Sequence, residues 1–392
     1  MVWCIRHPLL VALVAAVAAR VCLWVFAGFI PIPNEDQQPI SPLIAYSDID
    51  LTFYMNSREY YRALLASFFG GGGPVALPWA TDVEPAYAYA GPPLFPILLE
   101  VFRFGPDNPI PLSAFYLLTA VLVTVYWLTW LRRNGIELIG LIGFALLPIP
   151  FWFMLNISSD LPFAALIACF FFFFFEARKG RSRLWGLFIL VGLAVATRLH
   201  GVALAGFVFF AASWPGLLKR STVAALVVSA AALALLGTVY QDYGVDFLRT
   251  GNRIAYFSIT QEDYLAGIFP SLPSFLDHTL SIIALMGAKL LYMTGLRPTW
   301  WHTPIHFVLI RAAAGVVLLP GLLYLVFRGN PRHRVFVGLF ILPLLLGAAQ
   351  ERYLLGVIPI LYLYGIRAWQ DVYAVVSQVQ TKRSVSFKGD PR

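Results

Sequence analysis

The stretch Ser158-Ser159-Asp160-Leu161-Pro162-Phe163-Ala164-Ala165-Leu166-Ile167-Ala168-Cys169-Phe170-Phe171-Phe172-Phe173-Phe174-Phe175-Glu176-Ala177-Arg178-Lys179-Gly180-Arg181-Ser182-Arg183 decides the fold. Between Asp160 and Glu176 it carries no charge, and the cations Arg178, Lys179, Arg181 and Arg183 follow at once. An apolar run of that kind with a basic flank is the pattern of a membrane-spanning helix whose flank faces the cytoplasm. The pattern recurs along the chain as apolar blocks of roughly 15 to 25 residues separated by short polar or basic breaks. Of 392 residues, 59% are apolar and 12% are charged. A soluble domain carries about a quarter charged residues, so a soluble globular fold is excluded. The class expected is an all-α polytopic membrane protein.

The net charge of +8 sits in clusters between apolar blocks, which fits cytoplasmic loops and not a nucleic-acid surface. Cys4, Cys22 and Cys169 lie in or beside hydrophobic segments without CxxC spacing, so neither a disulfide framework nor a thiolate metal site is indicated. The apolar run from Leu9 resumes beyond Arg20 and continues to Ile30, which favours a retained first helix over a signal peptide.

Candidate spans are 9–30, 111–131, 136–156, 160–176, 184–197, 200–216, 221–240, 305–327, 335–349 and 353–369. These place Arg132/Arg133, Arg178 to Arg183, Lys219/Arg220, Arg328/Arg332/Arg334 and the tail cations Lys382, Arg383 and Lys388 on the cytoplasmic side, with both termini there. The segment 281–296 is apolar but short and contains Lys289, and one extra crossing would invert the Arg328 cluster. Residues 264–296 therefore read as two half-helices, or as a re-entrant or interfacial element. Residues 1–375 form one transmembrane domain and 376–392 a basic cytoplasmic tail.

The first external loop, 31–110, holds nine of the twenty acidic residues against Arg58, Arg62 and Arg103. Within it, 49–69 has the helical apolar period of a surface helix ended by Gly70 to Gly73, and 93–104 the same. The glycine run lacks a following Lys-Ser/Thr and is not a phosphate loop. A second external region spans 241–304.

With this topology, polar residues from four separated stretches converge on the outer face: Glu35, Asp36, Asp48 and Asp50; Asn156 and Asp160; Arg198 and His200; Glu351 and Arg352. Each has a plainer reading. Asp160, ahead of Leu161-Pro162, suits a helix cap. Glu351 and Arg352 suit pairing with other loops or snorkelling. Arg198 and His200 in a short apolar hairpin need a partner, either an anionic ligand or an acidic residue. Asp48 and Asp50, at the start of an apolar amphipathic stretch, fit a proton acceptor, an N-cap or a metal-binding pair.

Five segments carry a more specific pattern, in this order. They are Asp50 with Tyr54 four residues on and Asp48 before it; Tyr87-Ala88-Tyr89-Ala90-Gly91-Pro92-Pro93-Leu94-Phe95-Pro96; Ser158-Ser159-Asp160-Leu161-Pro162-Phe163; Ala196-Thr197-Arg198-Leu199-His200-Gly201; and Glu351-Arg352-Tyr353-Leu354-Leu355-Gly356-Val357-Ile358-Pro359. In order and spacing the chain resembles the GT-C superfamily of membrane glycosyltransferases, which includes protein O-mannosyltransferases and bacterial lipid A and polysaccharide sugar transferases. It departs from the family pattern where Ile49 and Leu51 flank the acids and where Gly356 replaces a proline.

The resemblance implies a GT-C-like bundle of about 10–12 transmembrane helices whose long first external loop carries surface helices. It implies a sugar donor on polyprenyl or dolichyl phosphate, used at the extracytoplasmic face of a bacterial inner or plasma membrane, and a glycan, lipid or protein acceptor. Asp50 or Asp48 would be the general base of an inverting transfer. Arg198, His200, Arg352 and Lys289 would hold the donor phosphate, and Asp160, Glu351, Tyr54, Tyr89, Glu35 and Asp36 would orient cations, sugar or acceptor. No residue is assigned to a metal, although the acidic pair leaves Mg²⁺ or Mn²⁺ open. Two other classes compete. A lipid-linked-sugar transporter or flippase would carry inverted repeats, which the sequence lacks. An O-antigen-type polymerase or ligase would use arginines of a late loop, here Arg249 and Arg253.

Overall fold

The computed structural model describes residues 7–27, 57–59, 61–62, 92–104, 108, 110–147, 158–176, 181–198, 201–212, 261–296, 305–346 and 351–388. Helix is the only regular structure among them. In chain order the helices are α1 (Pro8–Ala27), α2 (Leu94–Val101), α3 (Ile110–Arg133), α4 (Leu138–Ala145), α5 (Asp160–Phe171), α6 (Arg181–Thr197), α7 (Val202–Ala212), α8 (Gln261–Ala266), α9 (Ser274–Met293), α10 (Ile305–Arg328), α11 (Pro331–Leu346) and α12 (Ile358–Lys388). A π-helical turn, Phe172–Glu176, extends α5, and a 3₁₀ turn, Glu351–Leu354, precedes α12.

Helix boundaries follow local chemistry. Asn330 caps α11, its side-chain oxygen accepting the Arg332 N–H at 2.9 Å, and Pro331 opens the helix where a missing N–H costs nothing. α9 ends at Gly295, whose positive φ of 94° lets Leu296 N–H reach back to the Leu291 carbonyl and Gly295 N–H to that of Tyr292.

Among the described residues three segments are long and apolar enough to cross a membrane: Ile110–Arg133, Ser274–Met293 and Arg311–Arg328. The second corrects the expectation of half-helices over 264–296, because α9 is one continuous helix of 20 residues. The apolar run 281–296 is short because the helix begins upstream of it, at Ser274, in a more polar stretch. In the fold Lys289 is buried near the end of α9, and its ammonium donates to the Leu345 carbonyl at 3.0 Å. α8 and the turn after it fold back along the start of α9, with Phe269 N–H donating to Asp277 Oδ1 at 2.8 Å and Ile268 N–H to Ser281 Oγ at 2.9 Å.

Contacts along the helices fix their directions. Tyr116 of α3 meets Ser158 just before α5, and Arg133 at the far end of α3 meets Glu176 at the far end of α5, so the two run parallel. α10 and α12 are also parallel. Gly321 lies against Leu361 and Gly365, and Arg328 pairs with Asp371 at 2.8 Å. A Cβ on Gly321 would strike the Leu361 carbonyl, and one on Gly365 would strike that of Val317, so both glycines are required by backbone contact. α11 runs opposite to α5, with Phe163 against Phe340 and Phe170 against Phe336.

The core between α3, α5, α7 and α11 is aromatic: Trp127, Phe170, Phe171, Phe207 and Phe336 are all fully buried. The phenylalanine run of the deciding stretch thus supplies the packing surface between four helices.

α2 coincides with the surface helix expected at 93–104, but it packs into the bundle. Phe95 and Leu99 are fully buried while Ile97 and Val101 face out. The first-loop fragment at 57–62 is tied to it, Arg62 Nη2 reaching Glu100 at 2.6 Å and Arg58 Nη1 donating to the Phe104 carbonyl at 2.7 Å. The remainder of the expected 49–69 helix, the Gly70 to Gly73 run, the 221–240 span and Arg249 and Arg253 lie outside the described residues. α12 continues through 375 to Lys388, with Val372, Tyr373, Val375 and Val376 exposed.

Candidate functional site

The two ends of the bundle differ in kind. At one end lie the sequence's basic clusters: Arg133 with Glu176, Arg328 with Asp371, and Arg367 donating to the Asn134 carbonyl at 3.4 Å. At the other end the chain buries a charged pair, and this is the candidate site.

That site grows from the turn before α5. The Ser158 hydroxyl donates to Asp160 Oδ2 at 3.0 Å and accepts the Asp160 N–H at 3.3 Å, while Tyr116 Oη donates to the Ser158 carbonyl. Asp160 is the first residue of α5, where the helix dipole favours a carboxylate, and Pro162 fits the same first turn. The expected cap is corrected here. Ser159 holds the cap position and makes no side-chain capping bond, and the Asp160 carboxylate is turned to another partner.

That partner is Arg198. Its Nη2 lies 2.7 Å from Asp160 Oδ1, with both side chains buried, and its Nε donates to Ser159 Oγ at 2.8 Å. Arg198 directly follows α6, and the chain can leave that helix so abruptly because residue 201 is glycine. Arg198 accepts the Gly201 N–H at 2.9 Å, and a Cβ at 201 would overlap the backbone of Ala194 and Val195. Of the two partners open to Arg198 from its sequence, an acidic residue and an anionic ligand, the fold supplies the acidic residue.

The fourth wall is the 3₁₀ turn. The Tyr353 ring lies 5.0 Å from the Arg198 guanidinium carbon, within cation–π range. Gly356 seats the turn on α5, where a Cβ would collide with Ile167. α9, which carries Lys289, packs against the same turn. The fold therefore brings together Asp160, Arg198 and the turn whose backbone bears Glu351 and Arg352, while the Lys289 ammonium is held by the Leu345 carbonyl. Asp48, Asp50, Glu35, Asp36, Tyr54, Tyr89 and His200 lie outside the described residues. Among the described residues no group of three or more His, Cys, Asp or Glu side chains is arranged to hold a metal ion.

Sequence reasoning gave no role to Tyr116, Ser158, Ser159 or Tyr353. Ser158, Ser159 and Tyr353 stand inside segments already singled out, so adjacency was the available signal. Tyr116 had none, because its partner is 42 residues away.

Among the described residues helix is the only regular structure, and three of these helical segments are long and apolar enough to cross a membrane. No family model matches the chain, and no curated protein or solved structure matches it.

Proposed function

We propose that this chain is an integral membrane glycosyltransferase of GT-C type. It moves a sugar from a polyprenyl-phosphate donor to an acceptor hydroxyl at the end of the bundle that bears Asp160 and Arg198, which is the non-cytoplasmic face. The observation that carries the reading is the joining of three of its five motif segments, at Asp160, Arg198 and Tyr353, in one buried cluster opposite the basic ends of the helices. The parallel run of α3, α5, α10 and α12 supports a topology in which those basic ends are cytoplasmic. α2, from the first-loop aromatic and proline segment, packs its Phe95 against Tyr116 and so adjoins the cluster.

In the proposed reaction the carboxylate of Asp50 or Asp48 takes the acceptor hydroxyl proton as that oxygen attacks the anomeric carbon. The bond from that carbon to the phosphate oxygen breaks with inversion, and polyprenyl phosphate leaves. Arg352, His200 and Lys289 supply positive charge to the leaving phosphate, with Arg198 and Asp160 behind them. Glu351, Tyr54, Tyr89, Glu35 and Asp36 line the sugar and acceptor side.

The test is to give the purified protein a panel of polyprenyl-phosphate sugars, with and without EDTA, and to measure released polyprenyl phosphate. Release is expected with at least one donor and is expected to vanish in Asp48→Ala or Asp50→Ala. Full activity in both variants removes the loop carboxylates from the mechanism, and absence of release from every donor removes the enzyme reading.

A further inference from the structure

The buried pair points to a more specific role than phosphate binding. Arg198 spends Nη2 on Asp160 and Nε on Ser159, and its flat face lies under Tyr353. A guanidinium so engaged has its charge offset by a carboxylate at 2.7 Å and is poorly placed to meet a second anion. It joins three separate stretches of chain, namely the end of α6, the turn into α5 and the turn into α12, and Tyr116 pins the middle one from α3. The 3₁₀ turn that contains Tyr353 also carries Glu351 and Arg352 and packs against α9.

We infer that Asp160, Arg198 and Tyr353 form a latch that holds the Glu351–Leu354 turn in place, so that Arg198 serves the donor as a positioning residue while Arg352 on the held turn meets the phosphate. The inference deepens the glycosyltransferase reading and rests on it for the identity of the anion. The latch itself is a property of the fold. Tyr353 belongs to it through its ring over the guanidinium, a contact that Tyr353→Phe keeps. Asp160 belongs to it by keeping the guanidinium plane oriented and its buried charge balanced.

Two measurements on the full-length protein in lipid nanodiscs test this. The first is amide hydrogen exchange over 351–357. Arg198→Ala and Tyr353→Leu are each expected to speed exchange there by about tenfold or more, leaving the α10 and α12 contact unchanged, while Tyr353→Phe exchanges as the unmodified protein does. Unchanged exchange in Arg198→Ala and Tyr353→Leu overturns the latch. The second is donor kinetics with a polyprenyl-phosphate sugar. Each disrupting variant is expected to raise the donor KM about tenfold with a smaller change in kcat, the double variant to be no worse than either, and Tyr353→Phe to restore the ordinary KM. Effects that multiply in the double variant would mean that Arg198 contacts the donor itself, and would overturn the positioning role. If exchange responds as expected but no donor is turned over even by the unmodified protein, the latch stands and the glycosyltransferase reading falls.

Discussion

The two ends of this bundle carry the same kind of bond in opposite settings. Arg198 and Asp160 meet at 2.7 Å with side chains 8% and 2% exposed, whereas Arg328 and Asp371 meet at 2.8 Å with side chains 68% and 47% exposed. Nearly equal distances thus conceal unequal consequences. In water the exposed pair loses little when broken, because solvent takes over both charges. The buried pair has no such substitute, and removing one partner strands a charge in a low-dielectric site. Ion-pair length alone says almost nothing about importance here; burial decides it.

The sharpest way to break the comparison is to delete one member of the buried pair. Arg198→Ala is expected to destabilise the protein by about 3–5 kcal/mol, read by unfolding in mild detergent. Replacing both partners together, as Arg198→Met with Asp160→Leu, should recover much of that loss while leaving the Tyr353 turn unanchored. A single Arg198→Ala loss below about 1 kcal/mol would place this pair with the surface pairs.

Next in size is packing away from either end. Gly365→Leu or Gly321→Val forces α10 and α12 apart where their backbones touch, and a loss of about 1–3 kcal/mol or more is expected in the same measurement. A neutral result would mean that the parallel pair is looser than the contacts require. Tyr116→Phe sharpens the buried end further. It removes the hydroxyl that donates to the Ser158 carbonyl and keeps the ring against Phe95, so about 1 kcal/mol is expected. Smallest is Arg328→Ala, expected within about 1 kcal/mol and weaker still in high salt, since the pair it breaks is already solvated.

Much of this was legible beforehand, and the limit of legibility has a physical cause. The apolar run 161–175 with its flanking cations requires a helix with few polar surroundings, and α5 with its π-helical extension occupies it. Amphipathic spacing in 93–104 marked α2 correctly as a helix, yet spacing could not say that its apolar side would bury Phe95 and Leu99 within the bundle. The segment 264–296 misled because its apolar run 281–296 is short, contains Lys289, and as one more crossing would invert the Arg328 cluster. The fold shows one continuous α9 that begins upstream of that run, at Ser274, with the Lys289 ammonium donating to the Leu345 carbonyl near the end of α11.

For the candidate site, sequence could mark Asp160 and Arg198 as residues needing partners, since charge beside lipid is costly wherever it stands. Their pairing across 38 positions, the ring of Tyr353 over the guanidinium and the Tyr116 hydrogen bond depended on how α3, α5, α6 and the turn before α12 meet. The sequence by itself determined which segments avoid water, because hydrophobicity and charge are carried by the residues themselves. Which buried charge answers which was left to tertiary structure, because electrostatic compensation acts over a few ångströms of space and is indifferent to distance along the chain.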